Sequence, residues 1–249
     1  MSALETAGPP AAGAEWLSAR AARKLLTTVC VAVPMAGLAL FFGYPLLTIA
    51  WQSLLARDGT VGFANYAAIL TTPGLVTATI NSVVVAAATT LVSVVVGFVL
   101  AYALERSAVR AKNVVRAALV LPLLAPSLVQ ALGLLFILGR NGLVQKWTGW
   151  DIDIYGFWGL LIANVLYALP QAVMILQAAL RNADSRYYDA AEVMGASSLR
   201  QFLDITLPNT KFGLLSAAFV VFVITITDFG NAIVIGGNYR VLATEIYSQ

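Results

Sequence analysis

Tyr188-Asp189-Ala190-Ala191-Glu192-Val193-Met194-Gly195, with Ile205-Thr206-Leu207-Pro208 beginning ten residues after the glycine, is a polar interval between two long apolar runs. It carries Arg181, Arg186, Arg200 and Lys211, which predicts a cytoplasmic face, because short cytoplasmic loops are enriched in Lys and Arg. Asp184 or Ser185 can cap a helix start, since a short oxygen-bearing side chain accepts from the first free N–H groups. Residues 186–194 then read as helix, supported by Ala190 and Ala191. Gly195 stops that helix by reaching positive φ without a Cβ clash. A second short helix fits 198–204. Pro208 is expected to open the next long helix, where its missing N–H costs nothing. Small side chains at 190, 191 and 196 would let another backbone approach closely, so the interval reads as a docking knuckle.

Composition sets the surroundings. The chain of 249 residues is 60% hydrophobic and only 11% charged, a membrane protein's balance. Five apolar runs are long enough to span, at about 25–51, 77–104, 114–138, 157–180 and 212–235, each near the 20 or so residues a bilayer requires. The fold class is therefore an all-α integral membrane protein, a polytopic helix bundle. Residues 1–24 read as a disordered cytoplasmic tail. The first run is too long for a signal peptide, and no small-residue cleavage site follows it. Pro34 and Pro45 are tolerated kinks. Phe63-Ala64-Asn65-Tyr66 reads as a short interfacial helix in an outside loop. Asn81 and Ser82 read as hydrogen-bonding groups near the outer end of the second span. Pro122 and Pro126 open the ladder of the third span, and Pro170 breaks the fourth.

The sidedness can be tested by charge. Arg20, Arg23, Lys24, Arg106, Arg110, Lys112, Arg116, Arg181, Arg186, Arg200 and Lys211 fall inside, which is eleven; Arg57, Arg140, Lys146 and Arg240 fall outside, which is four. The excess obeys the positive-inside rule, places the N-terminus in the cytoplasm, and puts Asp189–Gly195 on the cytoplasmic side.

Several chemistries are excluded. Net charge is only +3 and the cations are scattered, so no nucleic-acid footprint appears. There is no histidine, and Cys30 is the only cysteine. The common general base, disulfides and cysteine metal sites drop out, leaving no catalytic residue and no metal site to name. No phosphate-binding loop of the G-x-x-x-x-G-K-[ST] type occurs. The Asp228-Phe229-Gly230 triplet lacks the context of a kinase motif. Asp228 is the one acid inside an expected span. It is a candidate lining group for a path, together with Asn231 and Gln130, although a helix-end cap is the simpler reading of Asp228.

The docking interval resembles the EAA loop of the membrane subunits of binding-protein-dependent, type I ABC importers. That pattern is Glu-Ala-Ala, three residues, Gly, nine residues, Ile-x-Leu-Pro. Here Asp189, Ala190, Ala191, Gly195, Ile205, Leu207 and Pro208 occupy its positions, with Asp189 standing where Glu is usual. The likeness runs from about residue 25 onward. It implies an importer permease bundle with a cytoplasmic coupling loop over 181–211, docked on a dimer of separate ATPase subunits that bind ATP and Mg. It also implies an extracytoplasmic solute-binding protein, a second permease half or subunit, and residence among the lipids of the bacterial cytoplasmic membrane. Such a permease is not itself an enzyme. A sixth span is expected beyond the five present, as in the first half of a longer fused permease. Asp228-Phe229-Gly230-Asn231 with Val234-Ile235-Gly236-Gly237-Asn238 and Ala243-Thr244-Glu245-Ile246-Tyr247 is similar to the ferric-iron and 2-aminoethylphosphonate branch; polyamine and thiamine are compatible solutes. An ATP-independent carrier or channel is the alternative, but it needs several intramembrane charges.

Overall fold

The computed structural model describes residues 12–56, 59–107, 111–182 and 185–248. It falls into two compact units, Met1–Ile69 and Leu70–Gln249. Among the described residues all regular structure is helical, apart from an isolated bridge between Leu55 and Val61. Five helical stretches are long and apolar enough to cross a membrane: Ala22–Leu54, Pro73–Arg106, Ser127–Thr148, Phe157–Arg181 and Ser198–Ile226.

In the first unit, α1 (Ala12–Leu38) passes through a wide π-turn at Ala39–Gly43 into α2 (Tyr44–Leu54). The helix thus starts inside the stretch expected to be a disordered tail; residues 1–11 lie outside the described residues. Pro34 sits within α1, and Pro45 follows the π-turn. A proline ring collides with the carbonyl four residues back, and a widened turn relieves that collision. Within this unit no described side chain of α1 or α2 is buried. A helix forms where a short one was expected at 63–66, as α3 over Ala64–Thr71. Asn65 Nδ2 ties its start to the Ser53 and Leu55 carbonyls at 3.0 and 2.8 Å, and the Tyr66 and Ser53 hydroxyls meet at 2.7 Å.

In the second unit, α4 (Pro73–Arg106) is one long helix. The third span, expected as a single helix over 114–138, is divided. It comprises α5 (Lys112–Val120), a 3-10 turn at Leu121–Leu124 and α6 (Ser127–Leu138). The prolines break it fully because Pro122 and Pro126 each lack an N–H to donate back along the chain. Helix α7 (Leu143–Thr148) continues the stretch begun by α6, after which α8 (Phe157–Arg181) runs uninterrupted through Pro170. The expected break at Pro170 is absent; the residue is fully buried, so the helix is held by its neighbours.

The docking interval follows with α9 (Ser185–Val193) and α10 (Ser198–Gln201). A second π-turn, Phe202–Thr206, leads without interruption into α11 (Leu207–Ile226). Pro208 stands in the first turn of α11, as expected; the helical run itself continues back through the π-turn to Ser198. The expected fifth span, 212–235, also divides. After α11 the chain breaks at 227–229, then forms α12 (Gly230–Ile235) and α13 (Leu242–Tyr247).

Helices α4, α8 and α11 pack together at the centre of this unit, along seams of small residues. Ala78, Ala86 and Ala101 of α4, Ala163, Ala168 and Ala172 of α8, and Ala217 of α11 are buried, while larger apolar side chains such as Val99, Leu166 and Phe219 are exposed. Leu160, Leu176, Leu180 and Val221 are buried with the alanines, and because lipid is as apolar as leucine, the small residues serve by letting the backbones approach closely. A Cβ on Gly97 would lie 3.2 Å from Ala172 Cβ, and one on Gly213 only 2.3 Å from Ala179 Cβ. Gly213→Val is therefore expected to part α11 from α8, at about 1–3 kcal/mol; a lowered unfolding temperature in detergent checks this, with Leu215→Val on the exposed face as control.

Candidate functional site

The docking knuckle is built by local chemistry. Helix α9 ends in a Schellman motif: Ala196 N–H donates to the Ala191 carbonyl and Gly195 N–H to the Glu192 carbonyl, both at 2.9 Å. Gly195 holds φ +75°, as the turn requires, and a Cβ built there meets nothing within 4 Å. Its need for glycine is thus conformational within this chain. Ser197 Oγ accepts from Arg200 N–H at 3.4 Å and caps α10. The expected cap at Asp184 lies outside the described residues.

The knuckle has an outward and an inward face. Asp189 and Ala190 are exposed, with Val193 at 90% and Met194 at 79% of full exposure. Ala191 is 6% exposed, so it is packed within the chain and does not offer the small outward surface expected of it. Ile205 is half-buried, Leu207 and Pro208 are exposed, and Thr206 between them is fully buried.

The inward face is wired to α4, an element that the sequence reading did not connect with it. The Tyr188 hydroxyl meets Thr206 Oγ1 at 2.9 Å. The Arg106 guanidinium lies over the Tyr188 ring, 4.2 Å from its centroid, and donates to the Leu180 carbonyl at 3.2 Å. Phe202 meets Phe98 and Tyr102 edge-on, with centroids 6.0 and 5.7 Å apart. Beside this link, Glu105 Oε1 accepts from Arg116 at 3.1 Å, Arg181 at 2.9 Å and Gln177 at 3.1 Å, joining the ends of α4, α5 and α8. The only sequence hint of this cluster was one acid among four cations, Arg106, Arg110, Lys112 and Arg116.

The polar residues expected in the spans sit at the helix breaks. Gln130 Nε2 donates to the Pro122 carbonyl and, at 3.2 Å, to that of Ala125, serving backbone acceptors freed by the prolines. Asp228 lies in the break between α11 and α12, not within a helix. Its Oδ2 accepts from Asn231 N–H at 2.9 Å, which is the cap reading. Asn231 is fully buried and donates from Nδ2 to Asn164 Oδ1 at 2.8 Å. The two breaks meet: a Cβ on Gly230 would fall 2.3 Å from Ser127 Oγ and 2.6 Å from Leu128 N. Asp228→Asn is expected to preserve transport, since asparagine caps as well as aspartate, whereas Asp228→Ala loses about 1 kcal/mol of capping. Uptake assays on both variants check this; an Asn variant as poor as the Ala variant would show that the charge itself is needed.

At the far end of α8, about 37 Å along its 25 residues, lies an open cleft of about 530 Å³ bordered by Arg140, Asp153, Tyr155 and Tyr239. Tyr155 N–H donates to Asp153 Oδ1 at 3.2 Å, and Arg140 lies 5.4 Å from the Tyr155 ring centroid. Phe157 packs on Tyr239, whose phenol burial pushes upward in pKa. Asn81 and Ser82 bond here: Asn81 Nδ2 to the Arg240 carbonyl at 2.9 Å, and Leu242 N–H to Ser82 Oγ at 2.7 Å. They were read as hydrogen-bonding groups, and their partners are backbone after α12.

Comparison with known proteins places this arrangement. The chain is 30% identical over 213 residues to a protein named as a putative ferric transport system permease, FbpB 1, of Haemophilus influenzae, covering 83% of this chain and 34% of that one. It thus spans about a third of that relative's length. It is 31% identical over 216 residues to the molybdenum transport system permease ModB of Mycobacterium tuberculosis, covering 84% of this chain and 78% of that one. A crystal structure of a bacterial alginate ABC transporter, in complex with its pentasaccharide-bound periplasmic protein, contains a chain of the same fold. Its TM-score is 0.72 at 18% identity, over 90% of this chain and 83% of that one. Residues 93–249, which include the knuckle, the C-terminal end of α4 and both breaks, match the family model, and the chain belongs to the binding-protein-dependent transport system inner membrane components.

Proposed function

We propose that this chain is the permease subunit of an ATP-driven importer, and that Asp189, Ala190, Gly195 and the exposed Val193 and Met194 dock it on a cytoplasmic ATPase dimer that holds ATP and Mg. The observation that carries this reading is the two-faced knuckle, apolar and uncovered outward, wired inward to α4. Ile205, Leu207 and Pro208 form the joint through which ATPase motion reaches α11, and buried Ala191 seats the knuckle on the chain. The N-terminus and the Arg181 end of α8 lie in the cytoplasm. The cleft beside Arg140 and Tyr155 lies outside, where a solute-binding protein delivers its cargo, and a second permease half completes the path. Asn231 and Gln130 fix the helix breaks that border this path, with Asp228 as cap. Ferric iron is the first solute to test, with 2-aminoethylphosphonate next; both follow from the resemblance around Asp228–Asn231.

The test is purification from native membranes in mild detergent, followed by mass spectrometry of what accompanies the permease. Recovery of an ATPase with a phosphate-binding loop is expected. Its absence, even under nucleotide trapping, would overturn the reading in favour of an ATP-independent carrier. A co-purifying binding protein, screened for its ligand, identifies the solute.

A further inference from the structure

Between α5 and the last turns of α8 lies a pocket of about 190 Å³ that the transport reading does not use. Arg116 from α5 and Gln177 and Arg181 from α8 line it towards the end of α8, and Val120 and Met174 lie about one turn farther along the same two helices. All three polar side chains converge on the same oxygen of Glu105, at 2.9–3.1 Å. Two guanidinium cations thus share one carboxylate, which leaves a formal charge of +1 at the pocket. Arg106, the next cation along α4, is engaged with Tyr188 and the Leu180 carbonyl. The Arg116 side chain is 39% exposed, so the part of its guanidinium not turned to Glu105 is open to an anionic oxygen. The Arg181 side chain remains 57% exposed, so its remaining N–H groups are open to a ligand.

The apolar side points to the kind of anion. Val120 and Met174 are exposed just where apolar helices give way to charged ends, the depth at which headgroups meet acyl chains. We propose that this pocket binds the phosphate of an anionic phospholipid of the cytoplasmic leaflet, with an acyl chain against Val120 and Met174. Guanidinium forks match phosphate oxygens, and basic pockets between membrane helices on the cytoplasmic side hold anionic headgroups. The inference rests on taking these helix ends as cytoplasmic, and not on the solute or the ATPase.

The permease complex purified in neutral detergent is titrated with phosphatidylglycerol, phosphatidylcholine or inorganic phosphate, reading retained lipid by native mass spectrometry and the unfolding temperature. Phosphatidylglycerol is expected to bind and stabilise, phosphatidylcholine to do neither, and millimolar phosphate to leave the lipid in place. Arg116→Gln with Arg181→Gln should weaken phosphatidylglycerol about tenfold. If orphaning Glu105 prevents folding, adding Glu105→Gln removes the unpaired charge. Met174→Trp leaves every ionic group intact and should also weaken the lipid by narrowing the apolar side. Unchanged phosphatidylglycerol binding in these variants, equal binding of phosphatidylcholine, or full displacement by inorganic phosphate would each overturn the proposal. So would exclusion of lipid from the intact complex, which would mean that a protein partner covers the pocket. None of these results bears on ATPase recovery, because the altered residues lie off α9.

Discussion

Gly195→Val is expected to lower ATPase recovery about tenfold, and uptake with it, while the protein still reaches the membrane. The cause is backbone conformation. Gly195 sits at φ +75°, where a Cβ costs about 1–2 kcal/mol and a branched one more; about 1.4 kcal/mol is a factor of ten. The valine variant escapes that strain by extending α9 past its Schellman turn, which carries Val193 and Met194 away from their present aim. Gly195→Asn should be much milder, because asparagine tolerates the left-handed region. Co-purification of the ATPase with each variant measures the difference. Equal damage from Asn and Val would move the requirement from this chain's φ to the closeness of the partner, since nothing in this chain lies within 4 Å of a Cβ there.

Phe202→Ala should separate docking from transport. Phe202 is on the π-turn, outside α9, so the docking face survives its removal. What is lost is the pair of edge contacts with Phe98 and Tyr102, each worth about 0.5–1.5 kcal/mol beyond area. A loss of about 2 kcal/mol is about thirtyfold in the population that keeps the loop joined to α4. ATPase association is expected to be normal, and solute moved per ATP hydrolysed in proteoliposomes to collapse. Arg106→Gln, which removes the cation over Tyr188, should shift the same ratio in the same direction. An unaltered ratio in both variants would sink the link as a transmission element.

The features legible in the sequence were those that local chemistry controls. The Gly195 stop, the helix before it and the apolar lengths of the second and fourth spans depend on φ preference, capping and hydropathy within a few residues of each position. Asp228 was legible as a helix-end cap, although the fifth span was expected to run on unbroken to 235. What escaped detection depends on groups distant along the chain. Pro170 was expected to break α8, yet helix packing holds it straight. Pro122 and Pro126 were expected to kink the third span, and instead they divide it, because Gln130 and the 3-10 turn supply the missing partners. The Glu105 cluster joins residues 72 and 76 positions apart, and Phe202 finds α4 from about a hundred residues away. No periodicity within a window reports such pairings. Ala191 was assigned to the outward face because its smallness suits a partner; smallness suits burial against its own chain equally well.

The π-turn at Phe202–Thr206 also sets phase. One residue advances an α-helix by about 100°, and a π-turn holds one residue more than the α-turn it replaces. The angular bearing of α10 relative to the α11 seam is therefore governed by a single additional residue. Removing one residue from 202–206 would rotate Thr210, Ala217 and Val221, all now buried, by roughly a quarter-turn relative to the knuckle. The buried stripe of α11 thus belongs to a different helical register from α10, and a reading of relatives that keeps one unbroken 3.6-residue frame from Ser198 onward will misassign every face downstream of Thr206.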